Sequence, residues 1–371
     1  MSALDEIVAL VDIGRRAPGS DAERRAARYL EARLSGLGRP AEVEPIQVWP
    51  NWPPAYALCA ALSLAGSLLS VSWPLAGSAA ALAGALLLFL DAGLLLPVVR
   101  RLFGRRASQN VISIGAQERP GLIVLVAHYD AGRGGLALAR RLRRGIGPRA
   151  LWWAQLGVLG CCAVRVAGLD APALGLIQFV PTVALVIALA LLIDIALAPT
   201  RGGENDNASG VALALRVAER LGSGRLEYFD VGLLFPGAQK ALAAGTRSFL
   251  RSHRIALERE STILVNLDEV GSGSVHVARK EGPLFGMKAH AQLIDLSEAP
   301  TYVDHSAGDG YAARLRGFAA VTVSCRGPDG PADPSVEESV IESAEAFCVQ
   351  LVARLDAELG PDRAAAVRSS G

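Results

Sequence analysis

The chain has few aromatic residues (5%) and few charged ones (20%), and only three of its 37 basic residues are lysines. Basic and acidic side chains nearly cancel, 37 against 36, for a formal charge of +1. No overall basic field exists to gather nucleic acid, and no nucleic-acid partner is expected. Cysteine is scarce as well: Cys59, Cys161, Cys162, Cys325 and Cys348 are odd in number and form no C-x-x-C pair. That pattern excludes a disulfide scaffold or a zinc knuckle and predicts reduced, buried thiols. The N-terminus, MSALDEIVALVDIGRRAPGSDAERRAARYL, carries acids where a signal peptide needs an apolar core, so no cleavable targeting segment is expected. What the chain does have is Ala, Leu and Val: 51% of it is hydrophobic, and the mean hydropathy is +0.33. That excess excludes disorder and points to membrane-spanning segments.

Four runs carry it. Ala55–Ser72 is nearly uncharged, Leu75–Val99 holds only Asp91, Ala150–Leu169 holds Gln155 and Arg165, and Pro172–Ala198 holds Asp194. Each is long enough to cross a hydrocarbon core of roughly 30 Å, so the pattern predicts two helical hairpins and four spans. Arginines crowd the polar side of these runs: Arg100, Arg101, Arg105 and Arg106 after the second, and Arg133, Arg140, Arg141, Arg143, Arg144 and Arg149 before the third. The opposite connectors, SVSWPLAG and AGLDAP, have none. Arginine-rich short loops stay cytoplasmic, which puts every polar segment on the cytoplasmic side of a multi-pass protein. Residues 1–54, 100–149 and 199–360 then form one domain interrupted by hairpins at 55–99 and 150–198, with 361–371 as a disordered tail. By depth, Asp91 and Arg165 are not expected to pair. Arg165 is expected to snorkel to the outer surface and Asp194 to be solvated at the inner one, in preference to an ion pathway through the acids.

Outside the hairpins, helical and strand patterns alternate. Residues 21–36 read as an amphipathic helix after the turn Pro18-Gly19-Ser20. Residues 110–114, 121–127, 228–235, 262–267 and 317–324 read as buried strands. Residues 207–221, capped by Asp206 or Asn207, and 335–359 read as helices. The fold class is therefore α/β, a mixed sheet with helices on both faces, interrupted by the two hairpins. Polar residues gather at strand ends: His128 and Asp130 after LIVLVA, Asp206 at a helix start, and Asp268 and Glu269 after LVNL. One imidazole and two carboxylates from three strand ends can converge on a divalent cation such as zinc, with Asp130 orienting the His128 ring.

In this order the segments NVISIGAQERPGLIVLVAHYDAG, GENDNASGVALALRVAERL and VNLDEVG resemble the M28 family of zinc aminopeptidases, which also includes glutaminyl cyclases. The likeness covers most of the chain outside the hairpins. It implies His128, Asp206 (the bridging aspartate) and Asp268 as metal ligands. The family's adjacent glutamates, general base and second-metal ligand, fall here on Gln239 and Lys240 in LLFPGAQKALAAG. Glutamine has no proton-accepting state near neutral pH, and lysine brings a cation where a metal needs a carboxylate. The family's late histidine ligand is also missing from SCRGPDGPADPSVEES, where the nearest candidates are Asp329 and Asp333, while His305 matches an upstream motif.

The resemblance thus implies an integral membrane, peptidase-like protein with one zinc site at most. Its catalysis is lost or weakened, and its old cleft binds a peptide or a protein partner. Either the second metal position is empty, or Lys240 replaces that cation's charge beside Asp206. An alternative is an active zinc aminopeptidase in which Glu204, Glu269, His305 or Asp329 replaces the lost groups. A third reading is a small transporter component with a regulatory α/β domain.

Overall fold

The computed structural model describes residues 1–94, 96–115, 118–136, 147–169, 171–222, 226–327, 330–331 and 335–370, the side chains of 330, 331 and 361–370 excepted. Its α/β unit is built on a ten-stranded sheet of order β1-β2-β4-β3-β5-β9-β6-β7, with β8 beside β6 and β10 beside β9. The strands are β1 (Glu42–Val48), β2 (Arg106–Ser113), β3 (Gly121–Val126), β4 (Phe229–Phe235), β5 (Thr262–Leu267), β6 (Ser274–Glu281), β7 (Met287–Lys288), β8 (Thr301–Asp304), β9 (Ala319–Gly327) and β10 (Gly330–Pro331). At the centre β4, β3, β5 and β9 run parallel, while β1 and β2 pair antiparallel with their neighbours and β6 pairs antiparallel with β9 and β7 but parallel with β8. GLIVLV of β3 and TILVNL of β5 are buried at every position, as a strand covered on both faces requires.

Helices cover the two faces. Helices α1 (Ala3–Asp12), α2 (Asp21–Gly36), α7 (Ser209–Leu221), α9 (Ala291–Ser297) and α11 (Glu338–Ser370) pack on one, around Leu30, Ile123, Leu213, Val265 and Leu351. Helices α8 (Ala244–Ser252) and α10 (Asp309–Leu315) cover the other, around Val124, Phe249, Leu264 and Ala313. The backbone of α11 continues helical into the segment expected to be a disordered tail.

The apolar runs form four helices that pack as one bundle: α3 (Trp52–Leu69), α4 (Pro74–Ala92), α5 (Pro148–Val166) and α6 (Pro172–Leu197). The first pair stands where the turn of the β1–β2 hairpin would be, since Val48 and Arg106 are cross-strand partners. The second pair is inserted between β3 and α7. Small residues bring α3 and α4 together: a Cβ on Gly66 would lie 2.6 Å from the Ala81 amide nitrogen. Three of the four helices, α3, α4 and α6, are long and apolar enough to cross a membrane by length and composition. Helix α5, expected as the fourth span, is not among them; its sequence includes Arg149, Gln155 and Arg165.

The polar groups of the bundle also differ from expectation. Arg165 does not snorkel: it is 9% exposed, and its Nε donates to Gln178 Oε1 (3.1 Å). Gln178 in turn donates to the Ser67 carbonyl (2.7 Å) and to the Ser70 hydroxyl. Asp91 pairs with Arg100, whose Nε lies 2.8 Å from Oδ1, and both side chains are buried. Asp194 accepts from the Leu136 amide at 2.6 Å rather than only from solvent. All five cysteines are buried free thiols, in agreement with their spacing.

Candidate metal centre

The parallel strands β3 and β5 end side by side, and the site residues are the first polar side chains beyond them. His128 follows β3 by two residues and Asp268 follows β5 by one. Asp206 lies in the single turn Glu204–Ala208 ahead of α7, and its peptide bond to Asn207 is cis. Asp206 does not cap α7; Asn207 Oδ1 accepts from the Gly210 amide (3.2 Å). The other residues of NDNASG stitch this turn to the strand end that carries Asp268. Asn207 Nδ2 donates to the Leu267 carbonyl (2.8 Å), and its Oδ1 accepts from the Glu269 amide (3.1 Å). Asn205 Oδ1 accepts from the Gly271 amide (2.7 Å). Gly210 completes the seam, because a Cβ there would meet the Leu267 carbonyl at 2.5 Å.

His128 Nε2 lies 3.5 Å from Asp206 Oδ1 and 3.4 Å from Asp268 Oδ1. Ligand atoms of these three residues all fall within 4.8 Å of one another, and among the described residues this is the group of His, Cys, Asp and Glu side chains able to hold a metal ion. One imidazole nitrogen and two carboxylate oxygens suit zinc. Buried His128 Nε2 and Asp268 Oδ1 have no hydrogen-bond partner among the described residues, the state expected of atoms that face a cation. The opposite ring nitrogen, Nδ1, is 3.1 Å from Asp130 Oδ1, so Asp130 turns the ring as its position beside His128 suggested.

Asp130 also accepts the amides of Gln239 (3.1 Å) and Lys240 (2.8 Å), which fixes the turn after β4 at the cleft. Lys240 Nζ reaches Asp206 Oδ1 at 2.6 Å. Gln239 is 6% exposed, and its Oε1 has no hydrogen-bond partner among the described residues. Burial works against ionising Asp206, but the Lys240 ammonium and the His128 ring beside it hold its carboxyl far below the usual carboxylate range. Burial opposes charge on Asp268 too, and His128 and Lys240 again pull it down. Lys240 itself is discouraged by burial, yet Asp206 and Asp268 drive it above the ordinary lysine value. For His128, burial and Lys240 disfavour the imidazolium, and the carboxylates of Asp130, Asp206 and Asp268 around the ring outweigh them.

Among the described residues, none considered as a replacement joins this group. Glu204 is exposed, Glu269 has a left-handed backbone (φ 54°) and stands outside the three-residue group, and His305 Nδ1 lies 3.2 Å from an Arg149 guanidinium nitrogen at the start of α5. Asp329 and Asp333 lie outside the described residues. Two residues that the sequence reading did not single out position the site. Arg16 is fully buried; it donates to the carbonyls of Tyr129 (2.8 Å), Leu10 (2.6 Å) and Gly203 (3.1 Å), tying the His128 loop to the approach to Asp206. Glu23 accepts from the amides of Gly19 (2.7 Å) and Ala238 (2.8 Å) and from Ser108, behind the Lys240 turn. For Glu23 a signal was available, its helical spacing with Ala26, Ala27 and Leu30 on the buried face of α2.

No protein-family model matches the chain, and no curated protein sequence matches it. Solved structures do. A zinc-dependent exopeptidase from Parabacteroides distasonis is 12% identical with a TM-score of 0.55, over 95% of this chain and 97% of its own. An aminopeptidase from an Aneurinibacillus strain is 14% identical with a TM-score of 0.54, over 94% and 92%. A glutaminyl cyclase from Bacteroides thetaiotaomicron is 13% identical with a TM-score of 0.53, over 95% and 96%. Likeness at this identity concerns architecture alone. The chain has the fold of the zinc-dependent exopeptidases and glutaminyl cyclases.

Proposed function

We propose that this is a membrane-anchored protein of the zinc-exopeptidase fold whose cleft takes one divalent cation at most, and which binds the end of a peptide or a protein partner without efficient hydrolysis. The observation that carries this reading is the Lys240–Asp206 contact of 2.6 Å. It puts a fixed cation on the carboxylate that a second metal would need. His128, Asp206 and Asp268 would hold the single ion. A zinc ion there would supply Lewis-acid polarisation of a carbonyl. Asp130 holds the imidazole, Gln239 offers a neutral amide where a proton acceptor is required, and Lys240 favours a carboxylate or carbonyl oxygen in the cleft. Anchoring is supported by α6, whose Leu176, Ile177, Phe179 and Val180 are all more than 60% exposed along one helix. The arginines near the bundle's domain end, Arg101, Arg105 and Arg106, are exposed and favour a cytoplasmic α/β unit.

A second reading, an active one-metal aminopeptidase, is favoured by a different observation: the three-ligand group converges, and His128 Nε2 and Asp268 Oδ1 have no hydrogen-bond partner among the described residues. Fold and ligand group side with this second reading, and the Gln239–Lys240 pair sides with the first. Elemental mass spectrometry of the detergent-purified protein, with aminoacyl-nitroanilide turnover on the same sample, separates them. About one zinc per chain with no turnover in the native protein, and turnover appearing in Q239E/K240E, is the outcome expected here. Zinc-dependent turnover by the native chain would replace the first reading with the second.

A further inference from the structure

The Lys240 turn faces the cleft on one side and the helix bundle on the other. On the cleft side its amides at 239 and 240 rest on Asp130. On the bundle side the Ala241 carbonyl, one residue after Lys240, accepts from Arg100 at 3.1 Å. Arg100 is buried at the base of α4, where its Nε is held by Asp91 Oδ1 at 2.8 Å, and the Nη1 that bonds Ala241 also reaches the Trp49 carbonyl at 3.4 Å. Leu242 packs both on the bundle core and against Leu94 just beyond α4, and Arg247 donates to the Leu94 carbonyl (3.0 Å). The turn does not keep this shape by local preference: Ala238, Leu242 and Ala243 have φ of 53°, 63° and 51°, a left-handed region that costs residues with a Cβ. Such a backbone persists only where outside contacts fix it, and here those contacts come from Glu23, Asp130 and the bundle's Arg100.

We infer that Arg100, locked by Asp91, is a positioning residue for Lys240: the helix bundle holds the Ala241 backbone and thereby keeps the Lys240 ammonium on Asp206. The inference rests on reading Lys240 as the fixed cation of the cleft. Displacing the end of α4 relative to the sheet would withdraw the ammonium and free an Asp206 oxygen, so the state of the bundle decides whether the cleft carries its built-in charge.

The scarcity of lysine makes this measurable, since only Lys280, Lys288 and a free N-terminal amine compete for an amine reagent. The full-length protein, in detergent and after chelator treatment, is acylated under limiting reagent and the three lysines are read by mass spectrometry. Asp206→Asn sets the rate for an unpinned Lys240; if it leaves Lys240 slow, the fixed-cation reading fails on its own, independently of the coupling. Asp91→Asn and Arg100→Gln are expected to raise the Lys240 rate at least fivefold with Lys280 and Lys288 unchanged, and Arg100→Lys to restore most of the protection. Unchanged Lys240 reactivity in both variants overturns the inference. If Arg100→Gln exposes all three lysines together, the near-isosteric Asp91→Asn decides; a rise of all three there as well means the pair supports the whole fold and not the turn, which also overturns it.

Discussion

At the residue scale the cleft is a charge problem with a visible solution. Asp206 and Asp268 lie within reach of one imidazole, and the ammonium of Lys240 supplies the nearest full positive charge. Lys240→Ala should therefore lower the stability of metal-free protein. Both side chains keep some solvent access, which discounts the cost of breaking the pair to about 1–2 kcal/mol. Added zinc should recover more melting temperature in the variant than in the parent, because the ion can then use both oxygens of Asp206. Equal melting curves without metal would mean that Lys240 carries no structural charge. A second residue-scale expectation concerns pH. Burial raises the Glu281 carboxyl from 4.5 to about 7 although Arg314 lies 2.8 Å away. The folded chain keeps that proton between the two values while the unfolded chain gives it up. The group's stabilisation is thus complete below about 4.5 and is lost as pH rises through about 7. Asp309, raised to about 6 by its burial, acts in the same direction. Melting temperature should fall from pH 5 to pH 8, and Glu281→Gln should make that fall smaller; an undiminished fall would assign it to other groups.

At the scale of elements, small residues decide how α3 and α4 pack. A Cβ at Gly84 would meet Ser63 Oγ at 2.3 Å and the Cys59 carbonyl at 2.6 Å, the latter being backbone that cannot turn aside. Gly84→Val should cost about 1–3 kcal/mol by overpacking, with Gly84→Ala intermediate, read as melting temperature in a fixed detergent. A Val variant as stable as the parent would show that the helices do not touch there. The elements also show what the sequence reveals and what it hides. Strands β3 and β5 were legible because continuous runs such as GLIVLV suit only a strand covered on both faces. His128 and Asp268 were legible because they follow such strands closely, and Asp206 because it stands just ahead of the helix α7. Depth along a span kept Asp91 apart from Arg165, as expected, but it says nothing about rotation about the helix axis, so Arg165 was misjudged. Their partners, Gln178 and Arg100, are set by how four helices turn toward one another. Arg16 was hidden for a similar reason: its carbonyl acceptors are backbone atoms as much as 187 residues away, and backbone atoms leave no mark in a sequence pattern.

At the scale of the molecule, two surfaces of opposite character share one chain. The α/β unit is an ordinary half-polar globule, whereas α6 has only 17% of its apolar window buried by the protein. On the proposed reading a bilayer covers the remainder, and the length suffices for it: 26 residues at about 1.5 Å each exceed a hydrocarbon core of roughly 30 Å. The bundle is also oriented for crossing. Chain exchange with the α/β unit occurs at one end, where Asn51 bonds the Phe103 carbonyl and Arg133 the Ala196 carbonyl. The far end carries the connections between α3 and α4 and between α5 and α6, near which Ser70 and Gln178 meet. Because all five native cysteines are buried, introduced thiols report topology over a low background. Ser72→Cys, exposed between α3 and α4, should react in intact cells with a membrane-impermeant maleimide, while Glu118→Cys, exposed on the α/β unit, should react only after permeabilisation. Alkaline carbonate should leave the chain in the membrane pellet. Labelling of both positions under the same condition, or release by carbonate, would mean that α6 is covered by another protein surface and that the bundle is an assembly element outside the bilayer. The opposite labelling order would keep the crossing and invert it, placing the cleft on the side of the membrane that the exposed arginines disfavour.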